Sequence, residues 1–278
     1  MGSRYRGSGY TVSELTKRIL FAVPAAAFFL WITWLGGNAF QTLIFAIALL
    51  TVWEVHRLTQ RTPYSDLFPI SLIITLMIWR GELLPPWILY PAAGMVIAAT
   101  LWAWISKKDE WARRWFSTLL TGVYAPFGFY MLIELRQLGT NTEGFWLTLS
   151  LLLMIWGNDM LAYFGGRKFG KNKLAPVSSP NKTWEGFAFG FLGAALGFTI
   201  TWFISDTFPV AAVAAIPAII IVSTMGPLGD VTASRLKRIA DVKDSSSLLP
   251  GHGGLFDRFD SLILSAPFVY FLYRMFMH

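Results

Sequence analysis

The chain has 278 residues, of which 55% are hydrophobic and 14% are charged, and its formal net charge is +7. Soluble domains contain about 25% charged residues, so this composition excludes an ordinary soluble protein and indicates an integral membrane protein. The absence of Cys excludes disulfides, thiolate metal sites and Cys nucleophiles. Membrane topology and contact with anionic lipids explain the positive charge, and nucleic acid is not expected as a partner.

Apolar runs along the chain predict an all-α fold with about nine transmembrane helices. A helix that crosses about 30 Å of hydrocarbon needs roughly 20 mainly apolar residues. The runs are Ile19–Leu35, Phe40–Trp53, Leu67–Trp79, Leu84–Ile105, Phe116–Leu135, Phe145–Phe164, Phe187–Ile204, Val210–Leu228 and Leu262–Phe276. The second and third are short enough to be half-spans. We expect residues 1–278 to form a single polytopic membrane domain, with 1–18 as a cytoplasmic N-terminal segment.

The distribution of Lys and Arg predicts the orientation of these spans. If the N-terminus is cytoplasmic, nine spans place the C-terminus outside, and only Arg80, Arg136 and Arg274 of the 23 Lys and Arg residues fall on the outer side. Cytoplasmic loops are enriched in Lys and Arg, so this arrangement is favoured over one with eight spans. Two polar segments, 167–185 and 230–260, then face the cytoplasm, where nucleotides and Mg²⁺ are available.

Polar residues near the end of the sixth span begin the first of these segments. Asp159 and Tyr163 are four residues apart, so a helix would place them on one face. Glycines flank Arg167 and would let the backbone approach a phosphate, although their spacing does not match a Walker loop. Two simpler readings stay open: Asp159 as a hydrogen bond between helices, and Arg167 as part of a lipid-facing edge.

The sequence from Ser179 to Gly186 is typical of a helix start. Ser179 is predicted to be an N-cap, with Pro180 at the first helical position. Free N–H groups at such an N-terminus attract anions, and Lys182 and Thr183 lie nearby in the sequence. An ordinary capped helix start remains an alternative.

Segment 229–260 concentrates acidic and basic residues that are costly beside a bilayer. On helices, Asp230 and Ser234 share one face, and so do Asp257 and Asp260. Carboxylates that converge from two segments suit Mg²⁺, which takes one or two protein carboxylates together with waters and phosphate oxygens. Each Asp taken singly is better explained as a solvated partner of a neighbouring Arg, but that interpretation does not account for the whole group of acids, bases and a glycine hinge beside a membrane.

Three motifs carry a resemblance to a known family: Ser234-Arg-Leu-Lys-Arg238, Lys243-Asp244 and Leu249-Pro-Gly-His-Gly-Gly-Leu-Phe-Asp-Arg-Phe-Asp260. With the sequence 179–186, they resemble the signature of phosphatidate cytidylyltransferases (CDP-diacylglycerol synthases). Glu54 is also similar to an acidic position that these proteins carry. The strong resemblance covers roughly the C-terminal half, about 145–278, which would be the catalytic half.

The resemblance implies a multi-pass enzyme of the cell inner membrane whose active site faces the cytoplasm. It implies Mg²⁺-dependent condensation of CTP with phosphatidic acid, which gives CDP-diacylglycerol and pyrophosphate. It also implies a two-metal centre held by Asp230 and Asp257, in which the second ion has the character of K⁺. Contact with membrane lipids and a homodimer are further expectations from the family.

We expect the site residues to fall into two groups. The expected catalytic residues are Asp230, Asp257, Lys237 and Arg238. The expected substrate-binding residues are Asp159, Arg167, Ser179, Asn181, Lys182, Thr183, Ser234, Lys243, Asp244, His252 and Asp260. A phosphate monoester has a second pKa near 6 and arrives deprotonated, so His252 is not expected to act as a base. A hydrogen bond to a phosphate or a structural role in the turn is expected instead.

Two other functions remain open from the sequence. The first is a CTP-dependent transferase on another membrane lipid, either an isoprenoid-ether analogue of phosphatidate or a lipid alcohol in a kinase reaction that releases CDP. The second is a transporter with a regulatory Mg²⁺ site, which predicts polar residues within several spans. Here the polar residues concentrate at one face, with Asp159 and Glu54 as the main exceptions, and this disfavours transport.

Overall fold

A computed structural model describes residues 14–106, 109–206, 208–249 and 253–277 of the chain. Most of the predicted cytoplasmic N-terminal segment lies outside these ranges. The described residues form ten α-helices and one β-hairpin. In chain order these are α1 (Glu14–Leu35), α2 (Gly37–Thr59), α3 (Phe68–Arg80), α4 (Pro86–Ile105), α5 (Glu110–Leu119), α6 (Ala125–Arg136), α7 (Asn141–Phe169), β1 (Lys173–Ala175), β2 (Ser179–Thr183), α8 (Trp184–Ile204), α9 (Ala215–Ile239) and α10 (Phe256–Phe276).

Each predicted span coincides with helical structure. Within the described residues, the segments long and apolar enough to cross a membrane number six: Gly37–Thr59, Pro86–Ile105, Glu110–Arg136, Asn141–Phe169, Trp184–Ile204 and Ala212–Ile239. The shorter apolar helices Ala22–Leu35 and Phe68–Arg80 carry the first and third predicted spans, and α10 carries the ninth. The prediction of a helical membrane protein is therefore confirmed, whereas the β-hairpin was not predicted.

A π-helical turn at Leu120–Tyr124 joins α5 to α6. Pro126 has no N–H to donate to the carbonyl of Gly122, four residues earlier, and the helical ladder is therefore interrupted there. The Gly122 carbonyl instead accepts a hydrogen bond from Thr75 Oγ1 at 3.3 Å. This contact attaches α3 to the turn.

Helices α7 and α8 pack at very short range. A Cβ at Gly157 would collide with the backbone of Gly193, and a Cβ at Gly193 would collide with the backbone of Gly157. The capping box formed by Thr140 and Glu143 fixes the start of α7. Because the hairpin β1–β2 connects the far end of α7 to the start of α8, the close pairing of the two helices also fixes the position of the hairpin.

Two buried charged side chains join helices at opposite ends of the bundle. Arg136, at the end of α6, donates to the carbonyls of Thr33 and Asn141, and so joins the end of α1 to the start of α7. At the other end of the bundle, Glu54 of α2 accepts a hydrogen bond from the backbone N–H of Phe256 at the start of α10. These contacts place the ends of α1 and α6 beside the start of α7, and the C-terminal part of α2 beside the start of α10.

Candidate active site

A cavity of about 1340 Å³ opens where α7, the hairpin, α9 and the start of α10 converge. The predicted site residues that line it are Asp159, Arg167, Asn181, Lys182, Thr183, Asp230, Lys237, Asp244, Asp257 and Asp260. Five of these are acidic and three are basic. The structure therefore brings residues from both polar segments of the sequence into one charged chamber.

Four predicted site residues that the structure describes do not line this cavity: Ser179, Ser234, Arg238 and Lys243. Arg238 is exposed, and its Nη1 donates to the carbonyl of Val242 at 3.0 Å. This side chain therefore binds the chain that follows the end of α9. His252 lies outside the described residues.

The prediction that Ser179 caps α8 is wrong. Ser179 lies in β2, and α8 begins at Trp184 with Thr183 as its N-cap, because Thr183 Oγ1 accepts from the backbone N–H of Gly186 at 3.1 Å. The two-stranded hairpin tolerates Pro180, since an edge strand can lack one N–H. Pairing with β1, which a local helix-start motif does not reveal, extends the strand as far as Thr183.

The hairpin carries a lysine into the cavity. The Glu185 carboxylate accepts from the backbone N–H of Lys171 at 3.0 Å and from Asn172 Nδ2 at 2.8 Å, and these bonds fasten the chain before β1 to the start of α8. At the end of β2, Lys182 Nζ lies 2.5 Å from Asp230 Oδ2 on α9. A cation from one polar segment thus pairs with a carboxylate from the other.

Helix α9 approaches α10 at the level of the acidic residues. A Cβ at Gly229 would collide with the carbonyl of Asp260, so a larger residue would push the two helices apart. Ser234 Oγ donates to Asp230 Oδ1 at 3.1 Å, as expected for residues four apart on a helix. Asp260, which precedes the predicted span that begins at Leu262, is buried; burial and the nearby charge of Asp230 raise its pKa.

Asp257, in the first turn of α10, is held by several donors. Its Oδ1 lies 2.5 Å from Lys237 Nζ, and its Oδ2 accepts from the N–H groups of Ser245 at 2.8 Å and Gly254 at 3.1 Å. Burial alone would raise the pKa of Asp257, but the bonds from Lys237, Ser245 and Gly254 outweigh it and hold the pKa below its ordinary value. The carboxylate is therefore ionised and fixed in position.

The donor set suits a hard cation that arrives with phosphates. Asp230 and Asp257 offer carboxylate oxygens to the same cavity. Among the described residues, no three His, Cys, Asp or Glu side chains form a group able to hold a metal ion. Mg²⁺ needs only one or two protein carboxylates when waters and phosphates complete its shell, so the residues fit an ion bound together with a polyphosphate.

The cavity continues into an apolar region formed by the N-terminal helices. Helix α1 contributes small and aromatic residues and α2 contributes aliphatic ones, among them Ala22, Ala25, Phe28, Leu43 and Leu50. Charged and apolar walls therefore belong to one continuous space. A molecule with a phosphate at one end and hydrocarbon at the other matches both.

Glu54 is an acidic residue at the end of a predicted span and has no predicted role, and Ser245 is not among the predicted site residues. In the structure, Ser245 Oγ lies 3.0 Å from both Glu54 Oε2 and Asp257 Oδ2. The available signal was a lone carboxylate in an apolar helix, which is costly unless it is hydrogen-bonded. Its partner, about 190 residues away in the chain, had no local signature.

Comparison with known proteins gives a consistent result. Residues 16–276 match the model of the Cytidylyltransferase family. A phosphatidate cytidylyltransferase of Bacillus subtilis is 34% identical over 273 residues, which cover 95% of this chain and 99% of the relative. Proteins of the same name from Brucella melitensis (35% identity; 93% of each chain) and Pseudomonas aeruginosa (31% identity; 91% of this chain and 93% of the relative) are also similar. The chain belongs to the cytidylyltransferase family.

Proposed function

We propose that this protein transfers the cytidylyl group of CTP to phosphatidic acid, forming CDP-diacylglycerol and pyrophosphate. The observation that carries this proposal is the cavity, in which a charged chamber continues into an apolar region. A nucleoside triphosphate suits the charged chamber. A diacylated lipid phosphate suits both regions, with its phosphate in the charged chamber and its acyl chains in the apolar region. Membership of a nucleotidyltransferase family, with relatives named phosphatidate cytidylyltransferase, supports the same substrates.

The basic residues of the charged chamber, together with bound cations, would offset the negative charge of CTP and phosphatidic acid. Lys182 and Lys237 each present an ammonium group beside a carboxylate, and Arg167 lies at the same cavity. Asp230 and Asp257 would hold Mg²⁺, with K⁺ proposed as a second ion. When bound, such ions neutralise phosphate oxygens and stabilise the leaving group.

The reaction is a displacement at phosphorus. A phosphate oxygen of phosphatidic acid attacks the α-phosphorus of CTP, a new P–O bond forms, and the bond to the β-phosphate breaks as pyrophosphate leaves. The attacking phosphate monoester is already deprotonated near pH 7, so no general base is required. The protein's contribution is to align the two phosphates and to offset their charge.

Membrane placement follows from the same substrates. We place the protein in the inner cell membrane with nine spans, the N-terminus in the cytoplasm, the C-terminus outside, and the charged chamber open to the cytoplasm, where CTP is present. The walls formed by α1 and α2 would receive the acyl chains while the headgroup stays at the interface. A homodimer is proposed on the resemblance alone.

The decisive experiment uses the protein purified in detergent with CTP, phosphatidic acid and Mg²⁺. Release of pyrophosphate together with a cytidylated lipid is expected, and omission of K⁺ tests the second ion. A kinase acting on a lipid alcohol would release CDP instead. Competition between diacyl phosphatidic acid and an isoprenoid-ether analogue shows which of the two lipids is the preferred substrate. Release of neither pyrophosphate nor CDP would refute any CTP-dependent transfer.

A further inference from the structure

Glu54 is a fully buried carboxylate that reaches from α2 to the segment preceding α10. It accepts four hydrogen bonds: from Ser245 Oγ at 3.0 Å, Ser246 Oγ at 2.6 Å, and the backbone N–H groups of Leu255 at 3.0 Å and Phe256 at 2.7 Å. Every donor comes from residues 245–249 and 253–256, the described part of the chain that leads into α10. The contacts of one side chain in the N-terminal part of the chain therefore define where this segment lies.

The same segment holds the carboxylate of Asp257. Ser245 donates to Asp257 Oδ2 through its N–H at 2.8 Å and its Oγ at 3.0 Å, and Gly254 adds an N–H at 3.1 Å. Ser245 Oγ is thus shared between Glu54 and Asp257. A displacement of Glu54 would be transmitted to Asp257 through one atom.

Gly254 packs closely against both Glu54 and Ser245. A Cβ at Gly254 would lie 2.5 Å from Glu54 Oε2 and would collide with Ser245 Oγ. The N–H groups of Leu255 and Phe256 have no acceptor within α10 because these residues stand at its start, and they donate to Glu54 instead. The helix dipole also favours a negative charge at this position. A carboxylate, which has two acceptor oxygens, therefore fits this position better than a side chain with one acceptor or none.

We propose that Glu54 is a positioning residue that fixes the orientation of Asp257 by holding residues 245–249 and the first turn of α10. Glu54 does not line the cavity and acts through Ser245. Its effect on turnover rests on the proposed function, in which Asp257 holds the metal ion that accompanies CTP. Residues that orient a metal ligand commonly contribute about 10- to 100-fold to metal affinity or activity.

The test compares Glu54→Gln with wild type. The amide offers one acceptor oxygen and turns an NH2 group toward donors, so part of the four-bond set is lost. We expect kcat to fall by about 10- to 100-fold and the Mg²⁺ concentration at half-maximal rate to rise. We also expect the backbone amides of Ser245, Leu255 and Phe256 to exchange hydrogen faster in substrate-free protein.

Asp66→Asn is the matched control. Asp66 is also buried in the N-terminal part of the chain and accepts from His56 Nδ1 at 2.7 Å, Thr59 Oγ1 at 2.6 Å and Ser71 Oγ at 3.0 Å, but these partners belong to α2 and α3. Its substitution should lower thermal stability without changing the Mg²⁺ requirement. A general loss of folded protein would lower the rate in both variants and leave that requirement unchanged.

The outcomes separate the two proposals. If Glu54→Gln leaves the Mg²⁺ requirement unchanged, or shifts it no more than Asp66→Asn does, the positioning role is refuted. If Glu54→Gln does not fold, Ser246→Ala decides by the same measurements, because it removes a hydrogen bond to Glu54 and leaves the bonds from Ser245 to Asp257 in place. If wild type releases no pyrophosphate, the proposed function fails, and amide exchange alone then decides whether Glu54 holds the segment.

Discussion

Lys182 Nζ lies 2.5 Å from Asp230 Oδ2, and this ion pair joins the β-hairpin to α9. Lys237 Nζ lies at the same distance from Asp257 Oδ1. Each carboxylate proposed to hold a metal ion thus has a lysine as its present partner. In the proposed reaction, the ammonium groups would turn toward phosphate oxygens, and the two carboxylates would then be available to hold the metal ion. Without substrate, each lysine offsets the charge of its own carboxylate.

Replacement of Lys182 by Ala should lower kcat/KM for CTP by about 10²-fold, the effect of removing one group that stabilises developing charge. The measurement is pyrophosphate release at limiting CTP. Lys173→Ala is the matched control, because Lys173 is an exposed lysine of β1 that does not line the cavity. An equal loss in both variants would assign the effect to the charge of the hairpin as a whole.

Asp257→Asn should abolish turnover while the protein extracts and elutes from a sizing column as wild type does. Asn has nearly the same size as Asp but carries no charge, so it neither offsets Lys237 nor offers a strong ligand to Mg²⁺. Chelation by EDTA should produce the same loss in wild type, and added Mg²⁺ should reverse it. Asp206→Asn is the control, because Asp206 is an exposed carboxylate beyond the end of α8, and its turnover should equal that of wild type. Retained turnover in Asp257→Asn would show that Asp257 does not belong to the metal site.

Lys237 and Arg238 were predicted together as catalytic residues, and the structure separates them. Lys237 is buried against Asp257, whereas Arg238 is exposed and bonded to a carbonyl at the end of α9. Lys237→Ala leaves the buried Asp257 without its cation and should reduce kcat far more than Arg238→Ala does. Steady-state rates of both variants, with melting temperatures to correct for folding, measure the difference. The reverse order would place Arg238 at the phosphates.

Much of the fold was predictable because its signals are local. An apolar run of sufficient length must form a helix in hydrocarbon, where each backbone polar group needs an internal partner, and the nine runs all fall on helices. The shared faces of Asp230 with Ser234 and of Asp257 with Asp260 followed from helical spacing. These inferences required only the sequence between neighbouring turns.

The remainder depended on contacts between distant parts of the chain. Ser179 and Thr183 are both plausible N-caps, and pairing of β2 with β1 selects Thr183. Arg238 and Lys237 differ by one helical position, and only the packing of α9 against α10 decides which side chain faces Asp257. The link between Glu54 and Ser245 joins residues in different halves of the chain, so no local pattern could indicate it.

Arg136 should be important for stability and not for catalysis. Its buried guanidinium donates to the carbonyls of Thr33, Trp34 and Asn141, at the end of the bundle away from the cavity. Each hydrogen bond from a charged group contributes about 1.5–3 kcal/mol, so Arg136→Ala should unfold at a clearly lower temperature in detergent. Arg136→Lys should be intermediate, since Lys keeps the charge but cannot reach all three acceptors. A changed KM for CTP in either variant would contradict this assignment.

The absence of Cys makes the proposed orientation directly testable. Val177→Cys, between β1 and β2, lies on the side proposed to be cytoplasmic, and Asp206→Cys, after α8, lies on the opposite side. Both positions are exposed, with Val177 at 88%, so each thiol should react once a reagent reaches it. In intact cells whose outer barrier has been made permeable, a membrane-impermeant maleimide should label Cys at 206 only. After lysis it should label both. Labelling at 177 in intact cells would place the charged chamber outside, where it would have no access to cytoplasmic CTP.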